Sequence, residues 1–330
     1  MASVLVYIQT EGACASESSI EALGEARRIA TTLGGTLYAL VTVPGQGNEH
    51  EELIESLGRH GADRVALAQR ADGNDPCLWS TRSTALLAAV DRVRPNLVVL
   101  AGNDPGRDIA PRLAAHLRAA YYADPSVQYG SHGEVVLSRT LYGATHRQRI
   151  SAEDLDIPIV ATLTPGSYKP SPGTDDAEVL FIEHGLQDSS FEHLESVPDP
   201  GADLDRARVI ACAGAGCDDD ATALVAKLAD ALGGKFGVTR GHQAKRDDAS
   251  DRVIDVRGRS VSPALYVACG ASGSMGHLGA VSPDSEILAV NSDPDADIFR
   301  VASYGIVGDV SKVLEGLLDE LGKKSEDKRE

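Results

Sequence analysis

Two kinds of segment alternate along most of this chain, and the alternation restricts its fold more than any other feature. Short runs rich in Val, Ile and Leu are followed by longer segments whose apolar residues recur every three or four positions. Strands that alternate with helices indicate βαβ units and a parallel sheet. In the first half, the predicted strands are residues 4–9, 36–43, 64–69 and 97–101, and the predicted helices are 20–30, 49–59, 81–93 and 106–117.

The pattern changes after about residue 124. Short apolar runs separated by glycines predict antiparallel strands at residues 127–129, 135–142 and 148–150. We expect residues 157–163 and 179–183 to continue this antiparallel set.

A polar segment, residues 186–205, contains two prolines and few apolar side chains, and it predicts a linker. We therefore expect an N-terminal domain over residues 1–185 and a C-terminal domain over 206–330. The alternation resumes after the linker. The predicted strands there are 208–211, 235–239, 265–269, 287–291 and 304–307, the predicted helices are 221–232 and 310–321, and residues 323–330 form a solvated tail.

The chain of 330 residues is strongly acidic, with 49 Asp and Glu against 31 Lys and Arg and a formal net charge of −18. Binding to nucleic acid or to anionic lipid requires a basic face, so this charge argues against both classes of protein. The 8 lysines are far fewer than the 23 arginines. An acidic excess with few lysines favours a halophilic protein, and an ordinary acidic cytosolic protein remains the alternative.

Five scattered cysteines fit no disulfide framework and indicate reduced thiols in the cytoplasm. No His pair lies near them in the sequence, so we expect no metal site. The first residues, MASVLVYIQ, lack the basic start of a signal peptide, and no apolar run is long enough to span a bilayer. We therefore expect no membrane insertion.

The segment 265–309 carries most of the candidate chemistry. A predicted strand leads directly into the glycine-rich turn 270–277, where backbone N–H groups can approach a phosphate. Polar residues follow the next strands, at Asn291 and Asp309. The turn's G-x-x-G-x-x-G spacing is not the dinucleotide fingerprint, and a purely structural turn, a solvated loop and a helix cap remain open alternatives. Motifs of hydrolytic enzymes are absent from the sequence.

Two stretches, LYVACGASGSMGHLGAV and ILAVNSDPDADIFRVASYGIVGDV, resemble the flavin-binding signature of the electron transfer flavoprotein alpha subunit family, which includes the nitrogen-fixation-associated type. In the first half, VLVYIQ and NLVVLAGNDPGRDIAPRLAAHL look like the family's amino-terminal domain. The resemblance implies an α/β fold with two domains, each a mostly parallel sheet flanked by helices. The first would be adenine-nucleotide-hydrolase-like and the second a Rossmann-like FAD-binding domain.

The resemblance also implies a function. The family forms a heterodimer with a beta subunit and binds one FAD. It carries electrons from flavin dehydrogenases, such as the acyl-CoA dehydrogenases of fatty acid β-oxidation, to a quinone oxidoreductase. Such a subunit is an electron carrier without a small-molecule substrate of its own. The alternatives are a divergent paralogue that binds nucleotides or acts as a scaffold without redox chemistry, and a dinucleotide-dependent oxidoreductase.

Site residues follow from the same resemblance. Thr239 would contact the FAD phosphates, and Arg240 would lie beside the isoalloxazine and stabilise its reduced, negatively charged form. His277 would reach the pyrimidine edge of the ring. Asn291 would hold the adenosine part, and Asp309 would accept from a sugar hydroxyl. The turn that would cradle the pyrophosphate and ribityl chain consists of Ser272, Gly273, Ser274, Met275, Gly276 and His277.

Three positions depart from the family pattern. The family loop glutamine-valine-glycine-glutamine-threonine-glycine reads Val-Ile-Asp-Val-Arg-Gly at residues 253–258. Arg257 therefore replaces the threonine that addresses the flavin, and we hypothesise that it adds a second positive charge near the ring. A glycine-glycine-arginine-glycine turn has lost its arginine at residues 213–216, and Gly276 replaces a glutamine.

Overall fold

The computed structural model describes residues 2–45, 50–70, 77–130, 134–141, 146–151, 157–174, 176–185, 197, 201–245, 250–283 and 285–327. Its contacts divide the chain into two compact units, residues 1–196 and 197–330. Most of the expected linker lies outside the described residues, so the domain limits 1–185 and 206–330 stay a prediction. Within the described part of the chain, no helix is both long and apolar enough to cross a membrane.

The first unit contains a seven-stranded parallel sheet. Its strands and those beside it are β1 (Ser3–Ile8), β2 (Thr10–Glu11), β3 (Cys14–Ala15), β4 (Thr36–Pro44), β5 (Arg64–Arg70), β6 (Leu97–Ala101), β7 (Ala120–Tyr122), β8 (Ser126–Tyr129), β9 (Val135–Leu141), β10 (His146–Ser151), β11 (Ile159–Leu163) and β12 (Glu178–Ile182). The helices are α1 (Glu17–Thr32), α2 (Glu51–Arg59), α3 (Trp79–Val93) and α4 (Asp104–Leu117). The strand order is β12-β5-β4-β1-β6-β11-β7, and every pairing is parallel.

Helices cover both faces of this sheet because its strands are apolar on both sides. Alternate residues of β1 enter two separate cores: Val4 and Val6 pack with α1 and α2, whereas Leu5 and Tyr7 pack with α3 and α4. This double burial explains why the central strands are continuous apolar runs instead of alternating polar and apolar residues. The βαβ prediction is confirmed.

Among the described residues, antiparallel pairing occurs in a separate three-stranded sheet, in the order β10-β9-β8, and in the two-residue pair of β2 with β3. The expectation that residues 157–163 and 179–183 continue it is wrong. Strand β11 pairs in parallel with β6 and β7, and β12 pairs in parallel with β5. All five residues of β11 are buried, as expected for an interior strand of a parallel sheet. The sequence prediction also missed the short edge strand β7.

The second unit contains a six-stranded parallel sheet. Its strands are β13 (Val209–Ala213), β14 (Lys235–Thr239), β15 (Val253–Ile254), β16 (Leu265–Cys269), β17 (Glu286–Asn291) and β18 (Tyr304–Val307). The helices are α5 (Ala202–Asp205), α6 (Asp219–Ala231), α7 (Arg240–Gln243), α8 (Met275–Leu278) and α9 (Val310–Asp327), with 3₁₀ turns at Ser250–Arg252 and Asp297–Arg300.

The strand order β15-β14-β13-β16-β17-β18 is that of a doubly wound fold. Successive strands run outward in one direction from β13 and in the other direction from β16. Loops diverge at such a switch point and open a crevice at the carboxyl ends of the strands. The expected fold class, two α/β sheets with the second Rossmann-like, is confirmed.

Two segments of this unit have a secondary structure that the sequence did not predict. The last helix continues to Asp327, so residues 323–327 are helical and do not form an irregular tail. At the other end, residues 202–205 form α5, and Leu204 is fully buried in a core with Ile210 and Tyr266. Burying a leucine contributes about 2 kcal/mol, and ion pairs of Asp203 with Arg252 and of Asp205 with Arg259 also hold this helix.

Candidate functional site

Every candidate site residue lies at the carboxyl edge of the second sheet. Thr239 ends β14, and Arg240 follows it. Arg257 lies in the loop after β15, and residues 272–277 follow β16. Asn291 ends β17, and Asp309 follows β18. Five separate strand ends therefore place residues that are up to 70 positions apart in the sequence along one edge of the sheet, with Arg257 and Asp309 at its two ends.

The two loops at the switch point are packed backbone against backbone. The Gly214 N–H donates to the Cys269 carbonyl at 2.7 Å, and the Gly216 N–H donates to the Gly270 carbonyl at 3.0 Å. Gly273 has φ of +83°, and a Cβ at this residue would lie 2.3 Å from the Ile298 nitrogen. Only glycine fits there, so this residue fixes the close packing of the turn 270–277 against the loop after β17.

Thr239 caps the short helix α7 with its side chain. Its Oγ1 accepts from the His242 N–H at 3.2 Å, and the residue is 7% exposed. Because a hydroxyl has one proton to donate in addition to its acceptor sites, the cap leaves the Thr239 proton for another acceptor. A phosphate oxygen is an acceptor of that kind.

Arg240 forms an ion pair with Asp255. Its Nε donates to Oδ1 of Asp255 at 3.0 Å, and the same oxygen accepts from the Arg257 N–H at 3.0 Å. Burial raises the pKa of Asp255, but the Arg257 N–H and the Arg240 guanidinium outweigh it and hold that pKa below its usual value. The carboxylate is therefore charged at neutral pH.

His277 is enclosed beneath the turn. It is 3% exposed, and its Nε2 lies 2.6 Å from the hydroxyl of Tyr266, which is fully buried on β16. Burial lowers the pKa of His277 to about 4, although Asp255 opposes the shift. Burial also raises the pKa of Tyr266 well above its usual value. Both side chains are neutral at pH 7, so His277 has one N–H to donate.

Asn291 and Asp309 make contacts within the edge itself. The Asn291 amide donates to the Ala271 carbonyl at 2.9 Å and accepts from the Asp293 N–H at 3.0 Å, which ties the loops after β16 and β17 together. Asp309 caps α9, since its Oδ1 accepts from the Lys312 N–H at 3.0 Å. The side chains of Ser272, Ser274 and Met275 are exposed at the same edge.

Two residues around the site had not been assigned a role from the sequence. Tyr266 lies in an apolar strand, where the sequence pattern predicts only that a tyrosine is buried in the core. Asp255 belongs to a divergent loop, and only an acidic residue directly after a short apolar run could have drawn attention to it. In both cases the partner, His277 or Arg240, comes from a different loop.

These groups fit a cofactor with phosphates and an electron-accepting ring. The close-packed glycine turn and the Thr239 hydroxyl suit phosphate oxygens, whereas the Arg240 guanidinium and the His277 N–H suit a ring that gains negative charge. Among the described residues, no three His, Cys, Asp or Glu side chains come together as a metal site requires.

Comparison with known proteins identifies two family domains in the chain. Residues 4–183 match the electron transfer flavoprotein domain, and residues 203–282 match the electron transfer flavoprotein FAD-binding domain. The electron transfer flavoprotein subunit alpha of Thermoanaerobacterium thermosaccharolyticum is 30% identical over 92% of this chain and 93% of its own length. Protein FixB of Clostridium saccharobutylicum is 31% identical over 91% of this chain and 90% of its own. The chain therefore belongs to the electron transfer flavoprotein alpha subunit family, with FAD as its cofactor.

Proposed function

We propose that this chain pairs with a beta subunit of its family and carries electrons from flavin dehydrogenases, such as acyl-CoA dehydrogenases, to a quinone oxidoreductase. The observation that supports the proposal is the placement of Thr239, Arg240 and the turn 272–277 at the carboxyl ends of the strands on either side of β13, beside the switch point of the second sheet. A relative from Acetobacterium woodii, 28% identical, is named as a subunit of a lactate dehydrogenase that uses NAD⁺ and ferredoxin. Because the name of that relative gives other redox partners, the donor and the acceptor stated above for this chain are part of the proposal.

FAD, when bound, supplies the ring that accepts and releases electrons, and the protein binds and polarises it. The backbone of residues 272–276 and the Thr239 hydroxyl would hold the phosphates. Arg240 would provide a fixed positive charge beside the ring, which favours added electrons. Asn291 and Asp309 would lie toward the adenosine and a sugar hydroxyl.

His277 would donate to the pyrimidine edge of the ring. The proposal takes the Tyr266 hydroxyl, 2.6 Å away, as the donor to Nε2, which would put the imidazole proton on Nδ1 and make that N–H the donor to the ring. A neutral imidazole donor stabilises charge on a ring carbonyl without adding a full positive charge. Arg257, which is exposed after β15, would add to the positive charge of the site. Its replacement by the family's threonine should then lower the flavin potential.

The experiment is to purify the chain with its beta subunit and to record the visible spectrum. We expect flavin absorption that is bleached by a reduced acyl-CoA dehydrogenase and restored by a quinone-reducing partner. A colourless complex would contradict the proposed electron-carrier function and favour the alternative of a non-redox paralogue. Direct reduction of the flavin by NADH alone would instead favour the dinucleotide-dependent oxidoreductase. The scattered cysteines support a reducing compartment, so the proposal places this electron carrier in the cytoplasm.

A further inference from the structure

Asp255 lies at the centre of the charged part of the site. One of its oxygens, Oδ1, accepts both from Nε of Arg240 and from the backbone N–H of Arg257. Its side chain is 10% exposed, whereas the Arg240 side chain is 43% exposed. The carboxylate is thus the enclosed member of the pair, and it restrains a guanidinium that would otherwise rotate in solvent.

The same carboxylate lies against the turn after β16. A Cβ at Gly276 would be 2.9 Å from Oδ2 of Asp255, so a larger residue at 276 would displace the carboxylate. The neighbouring Val256 N–H donates to the Gly276 carbonyl at 2.9 Å. Asp255 therefore contacts three segments that come from three strand ends: Arg240 after β14, its own loop after β15, and the turn that carries His277.

The carboxylate also changes the charge of the site. Arg240 and Arg257 contribute two positive charges, and Asp255 offsets one of them. Positive charge near a redox group stabilises its reduced form, and negative charge destabilises that form. These interactions are strong inside a protein because they are screened less there than in water. The two arginines therefore act on the ring with a smaller net charge than their number indicates.

We infer that Asp255 is a positioning residue of the FAD site, which fixes the direction of the Arg240 guanidinium and removes one unit of positive charge from beside the flavin. This inference rests on the proposed function, because that proposal places Arg240 next to the ring. It goes further in assigning to Asp255 the control of the flavin's potential.

The charge part is tested with Asp255→Asn in the complex with the beta subunit, by following the flavin spectrum at controlled potential. We expect the ratio of reduced to oxidised flavin at a fixed potential to rise about tenfold, which equals about 59 mV for one electron. Asp230→Asn is the matched control. It removes the same charge from an exposed position in the last turn of α6, at the opposite edge of the sheet, and should leave the potential unchanged. An unchanged potential in Asp255→Asn would overturn the charge part.

The positioning part is tested without flavin, on the full chain, from hydrogen exchange of the Arg240 Nε–H by NMR. We expect slow exchange in the wild type. Exchange should be about tenfold faster in Asp255→Asn, because charge-assisted hydrogen bonds are about twice as strong as neutral ones. The control Asp230→Asn should exchange as slowly as the wild type.

Asp255→Glu keeps the charge but lengthens the side chain. We expect it to leave the potential near the wild-type value and to accelerate the same exchange. Equal exchange in the wild type and both Asp255 variants would overturn the positioning part. A colourless wild-type complex, by contrast, would overturn the proposed function while the exchange measurement still decides whether Asp255 restrains Arg240.

Discussion

His277 shows how strongly one enclosed side chain couples stability to pH. Its pKa in the folded chain is about 4, against about 6.5 in an unfolded chain. Between these values the unfolded chain binds more protons, so the free energy of unfolding falls as the pH decreases from about 6.5 toward about 4. From pH 7 to pH 5 the histidine should account for a loss of about 2 kcal/mol.

Urea denaturation at the two pH values measures this loss. His277→Gln should lose about 2 kcal/mol less than the wild type between pH 7 and pH 5, whatever its stability at pH 7. His116→Gln, at an exposed position in the last turn of α4, is the control and should follow the wild type. A wild-type loss that persists in His277→Gln would assign the pH dependence to other groups.

The shape of the turn 270–277 depends on the backbone conformation of Gly273. In Gly273→Ala the new Cβ would press on the Ile298 nitrogen, and the positive φ would add strain. We expect a loss of about 2–3 kcal/mol in stability and weaker FAD binding.

Gly233→Ala is a matched control for that substitution. Gly233 also has positive φ, +66°, but nothing lies within 4 Å of its missing Cβ. It should lose only about 1 kcal/mol and keep FAD affinity. Thermal unfolding and FAD titration of the alpha–beta complex compare the two variants, and equal behaviour would mean that the close approach to Ile298 is unimportant.

At the scale of elements, Asp309 has two roles that can be tested separately: it caps a helix, and it is proposed to contact the cofactor. It caps α9, an 18-residue helix whose Leu314 is buried in a core of the second unit together with Val225 and Val290. Asp309→Ala removes the cap and should cost about 1 kcal/mol, whereas Asp309→Asn keeps a capping oxygen and should cost almost nothing. If the carboxylate also accepts from a sugar hydroxyl, both variants should bind FAD more weakly. Denaturation and FAD titration give the two readings, and stable, tightly binding Asp309→Ala would contradict both roles.

The elements themselves were largely predictable, because their periodicities arise from local geometry. Ile, Val and Leu runs marked the strands, and the helix α6 begins at a cap, Asp218, visible in the sequence. Pairing partners were less accessible. Strand β11 follows the antiparallel sheet in the chain, yet it pairs with β6, which is about 60 residues earlier. A short buried run does not reveal its neighbours, since both faces of the strand are apolar in either case.

At the scale of the whole molecule, the net charge of −18 makes stability depend on salt. Repulsion among the carboxylates opposes the compact state, and the screening length falls from about 10 Å at 0.1 M salt to about 3 Å at 1 M. We expect the thermal midpoint to rise as KCl increases from 0.1 to 1 M. The control is the same KCl series near pH 4.9, where the net charge is close to zero and there is little repulsion to screen. An equal rise there would show that charge is not responsible, and the halophilic interpretation would lose its support.

The sequence by itself determined the fold class, the family and the edge of the sheet where we propose that the cofactor binds. These depend on periodicity, on glycines that allow close approach and on the rule that ligands bind at the carboxyl ends of parallel strands. Only the tertiary structure decided which groups meet there. Asp255 reached Arg240, and Tyr266 reached His277, through the packing of separate strand ends. Such pairs depend on distances of about 3 Å between segments that no local pattern relates.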